Sequence, residues 1–247
     1  LQNVALDREK KRSPLRKLFI APEGKMLVRL DFKHIELRVF AAIAHEERML
    51  EAFRQGRDIH QETADALGIP RPEARNVNFL MLYGGGAWKI SMEFGVPIEE
   101  AKRMIETYYA AYPGIRRYHN QQIQIAHDLK QVEDWVGRIR RLDAMYSEHW
   151  KTIKEGERQA INMPVQGGAG EVVKLAMIDL HYGFDAPMLL QVHDELIFEI
   201  PEAECIDYAE WLYKYVPTIT EIKGVRFPVD VGVGKNWQEA KENELFS

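Results

Sequence analysis

The chain has one cysteine, Cys205, in 247 residues. A lone thiol excludes an internal disulfide and suits a reducing compartment. No apolar run approaches the ~18 residues of a membrane span. The opening LQNVALDREKKR lacks the apolar centre of a secretory leader. There is no internal repeat, which excludes a solenoid, and no low-complexity linker. An excess of positive charge is missing too. The 33 Lys and Arg residues face 38 Asp and Glu, for a net charge of −5. That balance weighs against nucleic-acid binding, although a basic groove can sit on an acidic body and a metal site adds carboxylates. What remains is a globular composition, 46% hydrophobic and 29% charged, long enough for one large or two small domains.

Several segments read directly. KMLVRLDF (Lys25–Phe32) is a short strand that carries Asp31 near its end. IELRVFAAIAHEERMLEAF reads as one helix. Pro70 and Pro72 suit the entrance of another, running from about Arg71 to Tyr83 and stopped by Gly84, Gly85 and Gly86. Ala101, Ile105, Tyr108 and Tyr112 recur at helical spacing up to Pro113–Gly114, and a helix centred on Ile115–Leu129 follows. EGERQAINMPVQGGAGEVVKLAMIDL reads as a helix interrupted near Pro164 and Gly167. LLQVHDELIFEI (Leu189–Ile200) reads as a hairpin with His193, Asp194 and Glu195 at its tip, and VRFPVDVGVG (Val225–Gly234) as a last strand. Helices inserted between separated strands predict an α+β fold, an antiparallel sheet with a helical insert.

Three constellations carry chemistry. Asp31 closes a strand and Asp194 tops a hairpin, two places from which carboxylates can share a divalent cation. Two carboxylates about 4 Å apart repel by roughly 4 kcal/mol at an effective dielectric near 20, and a hard cation reverses that sign. The plainer reading is a helix cap and a turn residue. Arg71, Arg75, Phe79 and Tyr83 are spaced by four. They place two guanidinium groups near a helix N-terminus, where anions are favoured, followed by two aromatic rings. That is a phosphate clamp with a stacking surface, or else an amphipathic helix with a basic end. Arg158, Asn162 and Gln166 share the same spacing. Donors on such a face can meet the sequence-independent acceptors of a minor groove, or form a satisfied polar seam. A further basic stretch, DREKKRSPLRK (7–17), reads equally as a solvated loop.

Together these segments resemble family A DNA polymerases. DFKHIELR (Asp31–Arg38) resembles the family's motif A, RPEARNVNFLMLYG (Arg71–Gly84) its motif B, and QVHDEL (Gln191–Leu196) its motif C. GRDIHQETA, VEDWVGRIRR, NMPVQGGAGEVVKLAM and VGVGKNW also match, in the family's order. The resemblance spans nearly the whole chain. It implies an antiparallel-sheet palm with inserted helical fingers: palm over 1–45, fingers over 46–130 with the motif B helix at 71–84, and palm again over 131–247 with the motif C hairpin at 189–200. No thumb and no proofreading nuclease can be placed in it.

The resemblance also implies roles. Asp31 and Asp194 would hold two Mg²⁺ ions, helped by the carbonyl of Phe32, with Glu195 an accessory acid. Arg71, Arg75 and His60 would contact the incoming triphosphate, and Arg75 would stand where the family's catalytic Lys does. Phe79 and Tyr83 would bracket the nascent base pair. Glu36 would crowd the sugar 2′ position and bond Tyr83. Arg158, Asn162, Gln166 and His193 would touch primer–template DNA. The implied partners are primer–template DNA, a deoxynucleoside triphosphate and a thumb-bearing N-terminal portion or subunit, with no membrane. The implied location is the cytoplasm of a bacterium or a virus-infected cell, with an organelle as the other option. Two alternatives remain: a non-catalytic, polymerase-derived nucleic-acid-binding subunit, and a related single-subunit RNA polymerase. The chain departs from the family pattern at Arg75, where Lys is usual, at Lys33 and His34, in a shortened segment between His60 and Arg71, and at Gly168 and Gly170, which replace the more usual Thr and Ala.

Overall fold

A computed structural model describes residues 14–247; most of the basic stretch 7–17, and with it Lys10, Lys11 and Arg12, lies outside the described residues. The elements in chain order begin with a 3₁₀ turn at Pro14–Leu18, β1 (Lys25–Phe32), α1 (Ile35–Ile43), α2 (Glu47–Arg54), α3 (Ile59–Leu67), α4 (Arg71–Leu82), α5 (Ala87–Phe94), α6 (Ile98–Ala111) and α7 (Pro113–Leu129). There follow β2 (Gln131–Glu133), β3 (Ile139–Arg141), α8 (Trp150–Phe184), β4 (Met188–Val192), β5 (Glu195–Pro201), α9 (Cys205–Tyr215), β6 (Glu221–Ile222), β7 (Val225–Arg226), β8 (Val229–Gly234), α10 (Trp237–Glu242) and β9 (Glu244–Phe246). They form two compact units. One comprises residues up to Ile35 with Gly170–Glu221 and Arg226–Ser247; the other comprises Glu36–Ala169 with Ile222–Val225. These limits differ from the 45/46 and 130/131 divisions expected from the family resemblance, because α1 and the stretch from β2 into α8 pack with the helical unit.

The first unit holds the antiparallel sheet, in the order β4-β5-β1-β8-β9. β1 is central and buried over Leu27–Leu30. Alternation along it sends Leu27, Arg29 and Asp31 to one face and Val28, Leu30 and Phe32 to the other. On the first face Leu27 packs with Val192, Ile197, Trp237 and Ala240. α10 comes so close that a Cβ on Gly232 would lie 2.1 Å from the Ala240 carbonyl oxygen. On the other face lies α9, whose Tyr208 meets Phe198 edge-on at 5.8 Å. The sheet does not end at β8 as the sequence reading expects; β9 pairs beyond it.

The second unit is helical, and two local readings are corrected there. The span 35–53 is not one helix. It breaks at residues 44–46, where His45 takes φ +48° and the buried Glu46 accepts from the backbone N–H of Arg48 at 3.1 Å and of Gly114 at 2.6 Å. One carboxylate thus caps α2 and the start of α7. Conversely, α8 is not interrupted: it runs 35 residues straight through Pro164. Gly168 has a packing reason, since a Cβ there would lie 2.7 Å from Trp135, whose indole N–H donates to the Gly168 carbonyl at 3.2 Å. Nothing within 4 Å of Gly170 explains its lack of a side chain.

Candidate active site

The hairpin turn brings the two strand-borne carboxylates of the first unit to one end of the sheet. Val192 pairs with Glu195, leaving His193 and Asp194 as a two-residue turn, with His193 at φ +57°. The Phe32 N–H donates to the Asp194 carbonyl oxygen at 3.2 Å, tying the turn to the end of β1. Asp31 pairs across the sheet with Glu195 on one side and Asp230 on the other. Three acidic residues in one row repel one another, so cations must answer them. Lys33 takes Asp230 at 2.8 Å. Arg29, only 1% exposed, takes Asp31 at 2.6 Å and Glu195 at 3.0 Å.

That arrangement corrects the placement of Glu195 at the hairpin tip, since in β5 it already pairs with Val192. His193 is exposed and Asp194 half-buried, but Glu195 is 4% exposed. It accepts from the indole N–H of Trp237, and Arg16 stands 3.5 Å away, stacked over the Trp237 ring at 4.2 Å. Burial opposes its charge, yet Arg29, the Trp237 bond and Arg16 outweigh burial and hold its carboxyl below the usual range. Asp31 behaves oppositely. Burial, with the nearby Asp194 and Glu195 charges, overrides Arg29 and pushes its carboxyl up to about 6. Burial and Glu195 raise Asp194 as well. At this end of the sheet Asp31 and Asp194 are thus the carboxylates whose charge burial and acidic neighbours disfavour. Sequence reasoning missed Arg29, Arg16 and Trp237; the one available signal was a charged residue set among Leu27, Val28 and Leu30, two places before Asp31.

In the second unit α4 presents the expected face. Arg71 and Arg75 are exposed in its first turns, and Phe79 and Tyr83 stack with centroids 6.4 Å apart. Arg75 leans over Phe79 at 5.8 Å. Arg71 pairs at 2.5 Å with Asp58, whose other oxygen caps α3 through the His60 and Gln61 N–H groups. His60 is not presented to solvent. It is fully buried, bonded to Asn78 at 3.0 Å and tilted against Phe79 at 6.1 Å, so it supports the face from below. The Tyr83 hydroxyl donates to Glu36, and burial followed by that carboxylate drives its ionisation upward. The Gln166 side chain is near enough to temper that rise slightly, which relates the α8 row to the α4 face. In that row Arg158 and Gln166 are exposed and Asn162 half-buried. Arg158 lines a cavity of about 550 Å³ with Gly84–Gly86, Lys89, Lys154 and the exposed Trp88 and Trp150.

Known proteins match this chain along its length. The model of DNA polymerase family A matches residues 1–239. DNA polymerase I of Deinococcus radiodurans is 40% identical over 98% of the chain, and the thermostable DNA polymerase I of Thermus aquaticus 37% over the same share. The chain spans 26% and 30% of the lengths of these two relatives. Among solved structures, the polymerase domain of Pol1 from M. smegmatis, in complex with DNA primer-template and dNTP, superposes with a TM-score of 0.89 at 28% identity, covering 98% of this chain and 45% of that one. With a family match over nearly every residue, the chain belongs to DNA polymerase family A.

Proposed function

We propose that the chain is the palm and fingers of a template-directed DNA polymerase that adds deoxynucleotides to a primer 3′-hydroxyl. The observation that carries this reading is the pair Asp31 and Asp194, partly buried at one end of the sheet and both with raised proton affinity. Polymerases of this family are generally metal-dependent. Among the described residues no group of three or more His, Cys, Asp or Glu is arranged to hold a metal ion. Two carboxylates and the Phe32 carbonyl nevertheless fit Mg²⁺, which takes one or two carboxylates and completes its shell with water and substrate phosphates. When bound, two Mg²⁺ ions supply charge stabilisation at the attacking and departing oxygens of an in-line phosphoryl transfer.

The chain's own groups do the rest. Arg71 and Arg75 neutralise the triphosphate at the α4 N-terminus, where unpaired N–H groups add to the field. Arg75 keeps the charge of the family's Lys but spreads it over a planar fork. Phe79 and Tyr83 offer a stacking surface to the nascent pair. Glu36, fixed by Tyr83, crowds the 2′ position and favours deoxyribose over ribose, which favours DNA over RNA synthesis. Arg158, Asn162, Gln166 and His193 supply donors to duplex DNA.

A thumb-bearing portion supplies the grip on duplex phosphates. Primer extension with Mg²⁺, by the chain alone and mixed with such a portion, tests the proposal. The mixture extends primers, and Asp31→Ala or Asp194→Ala nearly abolishes addition while leaving the fold intact. Extension by Asp194→Ala at close to the parental rate refutes the assignment.

A further inference from the structure

Arg29 has no role in the chemistry above. Yet of the Lys, Arg, Asp and Glu side chains described, it is the least exposed. An arginine cannot shed its charge, so enclosing it is costly without close anions. Its fork reaches three: Nη2 to Asp31 Oδ2 at 2.6 Å, Nε to Glu195 Oε1 at 3.0 Å and Nη1 towards Glu244 Oε1 at 3.7 Å. Its cross-strand neighbours, Ile197 and Gly232, bring no charge. Glu195 has partners of its own in Arg16 and Trp237. Among the described residues Asp31 forms no second ion pair, and its side chain is 32% exposed.

We propose that Arg29 is an internal counter-cation. It holds Asp31 and Glu195 in place when no metal is bound, and it competes with divalent metal for the charge of Asp31. It thereby raises the metal concentration at which the site fills. The inference rests on the reading of Asp31 as a cation ligand. A fixed positive charge touching a ligand oxygen repels a dication, and it occupies Oδ2. Arg29 is a positioning residue on this account, and the sign of its effect separates the account from a purely structural one. Removing a competing charge tightens metal binding. Removing a mere scaffold loosens it or leaves it alone.

Mn²⁺ binding to the whole chain, without nucleotide or DNA, is read from the paramagnetic resonance signal of free Mn²⁺. Asp31→Asn weakens binding at least tenfold. Arg29→Met, which keeps bulk but not charge, tightens it at least tenfold, and Arg29→Lys stays near the parental value. In EDTA the Arg29→Met chain melts lower than the parent, and saturating Mn²⁺ raises its melting temperature by more. Parental or weaker Mn²⁺ affinity in a folded Arg29→Met chain overturns the proposal. If that variant does not fold, the Arg29 Nε–H resonance of the parental chain decides. It shifts on Mg²⁺ titration with a midpoint that follows site filling, and a resonance unmoved at saturating Mg²⁺ overturns the proposal. Unchanged Mn²⁺ binding in Asp31→Asn instead removes the cation-site reading, and the inference falls with it.

Discussion

Replacing Glu36 with Ala removes the acceptor of the Tyr83 hydroxyl and opens the volume that the carboxylate fills. A hydrogen bond to a charged group contributes about 1.5–3 kcal/mol. Tyr83 is only half-buried, so the loss falls at the lower end, about 1.5 kcal/mol. If that energy is spent on excluding the 2′-hydroxyl, discrimination drops by roughly tenfold, since each 1.4 kcal/mol is a factor of ten. The assay is single-nucleotide incorporation by the chain mixed with its thumb-bearing portion, comparing kcat/KM for a ribonucleotide and the matching deoxyribonucleotide. Glu36→Ala raises the ribo-to-deoxy ratio about tenfold. Glu36→Gln, which keeps length and an acceptor, raises it less. The Tyr83 phenol, released from the carboxylate but still buried, ionises at lower pH than in the parent and still above a free tyrosine. An unchanged ratio in a folded Glu36→Ala protein refutes the steric argument, and an unchanged ratio with a lowered phenol ionisation confines Glu36 to orienting Tyr83.

Two predictions concern stability. Glu46→Ala leaves the Arg48 and Gly114 N–H groups without their shared acceptor, and with burial of the carboxylate set against the two bonds the loss is about 3 kcal/mol; a urea midpoint within error of the parent contradicts the double cap. His119 is buried against Phe40 and bonded to Tyr109 at 2.9 Å, and burial lowers its pKa to about 4. The unfolded chain takes up that proton near 6.5, so the contribution is complete above pH 6.5 and is lost as pH falls towards 4, by about 3 kcal/mol in all. His119→Phe therefore flattens the fall in urea midpoint between pH 7 and 5, and an equally steep fall assigns the acid sensitivity to other groups.

Features that depend on near neighbours were legible in the chain's residues. The β1 strand, the hairpin around His193 and Asp194 and the α4 helix ending before Gly84 follow from alternation, four-residue spacing and glycine. So does the face carrying Arg71, Arg75, Phe79 and Tyr83. Strand-end and hairpin-tip positions raised Asp31 and Asp194 as a candidate cation pair, and the motif resemblance added their expected role and the bond between Glu36 and Tyr83. Tertiary structure decided what depends on distant partners. The break before α2 is made by a carboxylate whose second N–H donor lies 68 residues away. The passage of α8 through Pro164 depends on packing along a long helix rather than on local propensity. Glu195 is buried because Trp237 and Arg16, 42 and 179 residues distant, meet it beside Arg29. No periodicity encodes such meetings: a buried charge is placed by the partners the fold brings to it, and those partners are neighbours only once the sheet has formed.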